Sequence, residues 1–294
     1  MGLFNFGEEE SKGSPLFATA LAGGAIGATP LAGYVSDSYI EPSRVALSKE
    51  LATEVPKFDN DIVRKLTEVM LDKENVDIPI LMGANYTEGY SPVGKDFLPK
   101  KEDFFGALDK GGYDLLGSGD KIHPLTAVER ARRIGGFIKG KPSTDIGTLA
   151  HELGHATQLN KNQGVRATKL YDLIENLSRK TLTPRNSARA AGLLALGGFS
   201  IDSDNDAKYL LPALAAASQA PVLYEEGKAS VEALKGLKNL VSKNKGIIPK
   251  DSLDKVAPML RRAFGTYGLR SAGILAAPLL ALAARSKYDE YLKD

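Results

Sequence analysis

The chain of 294 residues is 43% hydrophobic and 25% charged, a balance that supports a packed core and excludes a disordered chain. Lys and Arg total 38 against 36 Asp and Glu, so the formal charge of +2 gives no chain-wide attraction for a polyanion, and no nucleic-acid partner is expected. Cysteine is absent, which excludes disulfides, thiolate nucleophiles and Cys-containing metal sites and leaves any metal to carboxylates and to His123, His151 and His155.

Glu8, Glu9 and Glu10 stand where a secretory signal needs positive charge, and Phe6 where a myristoylation motif needs Ser or Thr, so neither signal is expected. Pro15 to Val35 is uncharged and of membrane-spanning length, but is built mainly of Ala and Gly. Gly23 and Gly27 form a GxxxG step suited to close helix approach, and Pro30 is expected to kink or end a helix. Residues 1–41 read as an N-terminal tail carrying this segment, and 42–294 as the main domain.

Helices are predicted over Ser43 to Val55 and Asp61 to Asp72, the second with Ile62, Leu66, Val69 and Met70 on one face. Ile78 to Met82 reads as a strand, and Tyr113 to Leu116 as a second. The Gly- and Pro-rich stretch between Gly83 and Asp120 predicts loop, with a short helix around Glu102 to Leu108. A further helix is predicted from Pro124 to Ile138, stopped by Gly140, Lys141 and Pro142.

Three more apolar blocks follow: Ala190 to Ile201, Tyr209 to Tyr224, and Ser271 to Ala284. The first two predict an antiparallel helical hairpin, 190–224, with an acidic tip at Asp202, Asp204 and Asp206. The tip lacks the Gly and the final Glu of a calcium loop, since Ala207 and Ala213 hold those places. C-terminal helices are expected over 250–294. The Ala/Gly-rich helices suit pairing with one another, with a second copy of the chain, or with a membrane.

Chemistry concentrates in Ser143 to Ala156. Ser143, Thr144 or Asp145 can cap a helix on which His151 and His155, four residues apart, share one face. Both imidazoles can therefore reach one ion, and zinc suits such a pair with one corner left for water. Glu152 completes HExxH and is placed to take the proton of that water. Lys161 stands where a metzincin has its third His, so the third ligand is sought among carboxylates. Of Glu175, Glu225, Glu226 and Glu232, Glu226 fits best, because Ser230 and Ala233 on its face allow close approach to the HExxH helix. Glu225 and Glu232 are then expected to face solvent. His123, before Pro124, reads as structural, while Tyr224, Arg261 and Arg262 qualify as oxyanion stabilisers by chemistry alone.

HELGH followed, after a long helical insertion, by Glu226-Gly227-Lys228-Ala229 resembles the gluzincin metallopeptidases, above all the HtpX-type and type I CaaX prenyl proteases. The resemblance covers residues 143 to 237 and implies Glu226 as third zinc ligand. Ser230 stands where the family has Asp. The expected fold is α+β and predominantly helical, a zincin-like core with a small sheet beside the HExxH helix and Ala/Gly-rich apolar helices. The expected function is a zinc-dependent endopeptidase acting on peptide or protein substrates, with the apolar blocks allowing membrane association. The alternative is a structural or membrane-interacting assembly protein, such as a virion component, that keeps such a fold.

Overall fold

The computed structural model describes residues 15–54, 60–71, 76–82, 89–93, 113–116, 123–140, 144–161, 184–201, 209–244 and 246–293. The acidic tip at 202–208, Glu175 and the helix expected at 102–108 lie outside them. In chain order the elements are α1 (Pro15–Val35), a π-helical turn (Ser36–Ile40), α2 (Glu41–Glu54), α3 (Asn60–Met70), β1 (Pro79–Met82), β2 (Gly89–Pro92) and β3 (Tyr113–Leu116). They continue with α4 (Pro124–Ile134), β4 (Gly136–Gly140), α5 (Ile146–Lys161), α6 (Pro184–Ser200), α7 (Leu210–Lys243) and α8 (Lys250–Lys293). The protein is thus predominantly helical with one small sheet. It divides into two units, one of residues 42–167 and 224–264, the other of 1–41, 168–223 and 265–294.

In the first unit the sheet has the order β2-β4-β1-β3, with β1 parallel to β4 and the other two pairings antiparallel. Side chains alternate across it. Leu81 and Phe137 meet Ala127, Val128 and Ala131 of α4 on one face. Ile80 and Ile138 join a larger core with Leu66 of α3, Leu149 and Leu153 of α5, and Leu237 of α7. This second face seats the HExxH helix.

The helix predicted from Pro124 stops four residues short of Ile138. Gly135, at φ 89°, supplies the left-handed cap, and its N–H bonds the Ala131 carbonyl at 2.8 Å. The chain then turns directly into β4, whose first three residues the helical spacing assigns to the helix. Strand β2 lies in the stretch whose Gly and Pro content predicts loop.

In the second unit α1 packs along α6, and Ala191 and Ala195 of α6 meet Ala277 and Ala281 of α8. Gly198 lets the Pro278 carbonyl of α8 come within 3.2 Å of where a Cβ would stand. Gly197 lies beside Leu211, so the end of α6 adjoins the start of α7 as the hairpin requires. Pro30 does not end α1, which runs on to Val35. The GxxxG step is not used for close approach, since a Cβ at Gly23 or Gly27 would meet no described atom within 4 Å. Among the described residues one helical stretch, Asp251–Leu292 of α8, is long and apolar enough to cross a membrane.

Candidate metal centre

The HExxH helix is fixed at its start by Asp145, one of the three expected capping residues. Its Oδ1 accepts the Thr148 N–H at 2.9 Å, and its Oδ2 accepts the hydroxyls of Thr148 at 2.8 Å and Ser48 at 2.5 Å. The aspartate is buried, and these partners replace the water it gives up.

From this start α5 carries His151 and His155 on the side facing α7, their rings edge to face at 4.8 Å. The approach of the two helices depends on Gly154. A Cβ there would overlap the Ala229 carbonyl oxygen and lie 3.0 Å from the Ala229 Cα. Glu226 and Ser230 flank that contact on α7. Gln158, one turn beyond His155, ties the same crossing by donating from Nε2 to the Glu225 carbonyl at 3.0 Å.

The Oε2 of Glu226 lies 3.2 Å from His151 Nε2 and 3.4 Å from His155 Nε2. One ligand atom from each of these residues falls within 4.8 Å of the others, a spacing that could hold a metal ion. Two imidazole nitrogens and a carboxylate are a zinc donor set, and burial of the group on packed helices fixes its geometry. Burial of Glu226 favours its neutral form, but hydrogen bonds and charge from His151 and His155 outweigh it and hold the carboxyl well below the usual carboxylate range. It is therefore an anion ready to ligate.

Behind the cluster, Ser230 Oγ donates to the Glu226 carbonyl at 3.0 Å and lies 3.2 Å from His151 Nδ1. With its proton given to that carbonyl, the hydroxyl oxygen can accept an Nδ1–H from His151. Ser230, where the resemblance expects Asp, thus lies within hydrogen-bond distance of His151.

Glu152 sits under the sheet margin, where its Oε2 accepts the Tyr90 backbone N–H of β2 at 2.6 Å. That partner was invisible in the sequence, because β2 itself was read as loop. Tyr90 is held in turn by its hydroxyl, which donates to the Gly135 carbonyl at 3.2 Å, while its ring lies where Gly136 has no side chain.

The other candidates are not in the cluster. Glu225 is buried, contrary to the expected solvent-facing position, because its backbone lies at the helix crossing beside Gln158. Glu232 is partly exposed. His123 is exposed and serves as the cap of α4, its Nδ1 accepting the Leu125 N–H at 3.3 Å. Tyr224, Arg261 and Arg262 are exposed, and Arg262 donates to the Ser43 carbonyl. No protein family, curated protein or solved structure was found to match this chain.

Proposed function

We propose that the chain is a zinc-dependent endopeptidase with a zincin-like core, in which His151, His155 and Glu226 hold the metal and Glu152 is the general base. The observation that carries this reading is the convergence of Glu226, 71 residues on from His155, with both imidazoles. A zinc ion held there would supply Lewis acidity, acidifying a water and polarising a peptide carbonyl. The gluzincin resemblance of the motif order supports the same assignment.

The protein's own groups divide the remaining work. The Tyr90 N–H fixes Glu152 Oε2, so Glu152 takes the proton of the attacking water at its other oxygen and passes it to the leaving amine. With a metal bound, Ser230 would accept the Nδ1–H of His151 and so leave its Nε2 lone pair for the ion, and Glu226 would supply a carboxylate oxygen.

The test is metal analysis of the purified chain beside His155→Ala. About one zinc per chain is expected in the wild type, with most of it lost in the variant, as for a site reduced to two protein ligands. Equal zinc in both would overturn the assignment. Ser230 gives a finer measurement. Ser230→Ala is expected to weaken zinc binding roughly 10- to 100-fold in a chelator competition, and Ser230→Asp to bind at least as tightly as the wild type. Unchanged affinity in Ser230→Ala would remove Ser230 from the site.

A further inference from the structure

The two units are built on opposite burial patterns. The zinc-site unit hides its large side chains, among them Leu51, Leu66, Ile80, Leu153 and Leu237, as a chain folded in water does. The other unit buries small and polar side chains: Ala191, Ala195, Ala277 and Ala281, with Ser36, Gln219 and Ser271. Val222 and Ile274 are buried as well, but many of its large side chains point outward. Leu31 is 64% exposed, Leu193 72%, Leu196 64%, Leu214 53% and Leu279 55%. In water this loses the hydrophobic contribution of every one of those leucines. Among lipid it is the expected arrangement, because acyl chains solvate leucine while small residues and interhelical hydrogen bonds hold helices together. The buried hydrogen bond from Ser271 Oγ to Gln219 Oε1, 3.2 Å long, joins α8 to α7 in that way.

Polar groups mark two levels of this unit. Arg270 at the start of its α8 segment pairs with Asp37 at 2.6 Å, beside Tyr34 and Tyr39, which are 61% and 63% exposed. Gly24 meets Leu280, so α1 and α8 run back from this level together. At the other level Arg285 pairs with Asp289 at 2.7 Å and donates to the Phe199 carbonyl, and the Tyr288 ring lies 6.1 Å from that of Phe199. Exposed Tyr209 begins the chain that brings Leu211 to Gly197, two residues before Phe199. Between the levels α8 offers 14 uncharged residues, Ser271 to Ala284, a rise of about 21 Å. The hydrocarbon core is about 30 Å thick, and local thinning of the bilayer accommodates a shorter stretch. Tyrosines at both levels match the aromatic belts of a bilayer. A soluble core helix does not fit, because the apolar window of α8 is only 39% buried.

We propose that this unit is embedded in a lipid bilayer, with the leucine face against the acyl chains and the two tyrosine levels at the headgroups. The chain contains no Trp, so a single Trp substitution gives a unique fluorophore. Leu193→Trp and Leu279→Trp are compared with Leu125→Trp, an exposed position in the zinc-site unit. The full chain is reconstituted in 3:1 phosphatidylcholine and phosphatidylglycerol vesicles, with and without lipid brominated mid-chain. The expected result is flotation that survives alkaline carbonate, with blue-shifted emission quenched by the brominated lipid at 193 and 279 but not at 125. Leu279→Asp should lower vesicle partition at least about tenfold, as a charge placed in hydrocarbon does. A wild type that stays in the aqueous fraction would overturn the proposal. So would a blue shift at 193 and 279 that appears without vesicles and grows with protein concentration, which would assign the face to a second copy.

Discussion

Glu152→Gln is expected to keep the zinc content and melting temperature of the wild type while lowering peptide hydrolysis by roughly 10²- to 10⁴-fold, the usual contribution of a positioned general base. The substitution is chosen for what it preserves. The amide oxygen of Gln can still accept the Tyr90 N–H, and nothing in the His151, His155 and Glu226 cluster changes. Only the ability to take a proton is lost. Zinc analysis and turnover of an unstructured protein substrate, measured on the same preparation, separate the outcomes. Equal hydrolysis by both proteins would remove Glu152 as base. A wild type that holds zinc but cleaves no substrate, together with biological function retained in Glu152→Gln, would favour the assembly-protein reading.

Gly154→Ala is expected to lose stability and zinc affinity together, although the same change in an open helix interior gains about 0.5–1 kcal/mol. The added Cβ would run into the backbone of Ala229, which cannot swing aside as a side chain can. The helices must part, and overpacking of this kind costs about 1–3 kcal/mol, more than the propensity gain. Because Glu226 and Ser230 flank Ala229, the movement pulls a ligand and its support away from the imidazoles. Gly268→Ala on α8, where a Cβ would meet no described atom within 4 Å, provides the opposite sign. Thermal melts and chelator competition on both variants check the pair. A stabilised Gly154→Ala with unaltered zinc affinity would show that the crossing is looser than described.

The HExxH helix was legible because its information is local: a cap, a four-residue spacing and a face. Glu226 was legible because close helix approach demands small residues, and Ala229, Ser230 and Ala233 follow it. The sheet was harder to read. Phe137 and Ile138 continue the helical spacing from Ile134 as well as they suit β4, and the choice is made by the Gly135 dihedral. Strand β2 has four residues, begins with Gly and ends with Pro, and is a strand only because β4 lies beside it. Glu225 misled for a related reason. Assigning Glu226 to the face toward α5 sent its neighbour to solvent, whereas the path of α7 past α5 buries both.

Among the described residues strand β2 is the margin of its sheet, the place where a second chain could add itself by backbone pairing. Alternation along an antiparallel ladder turns Gly89 and Ser91 toward β4, and Tyr90 and Pro92 outward. The Tyr90 N–H is bonded to Glu152, and proline has none to offer. Along these four residues the outer margin therefore presents carbonyls without an uncommitted donor, and another strand finds only half of the hydrogen bonds it would need. The carboxylate proposed to handle the proton also keeps this edge from recruiting neighbours, so protection against aggregation and preparation for chemistry rest on the same side chain.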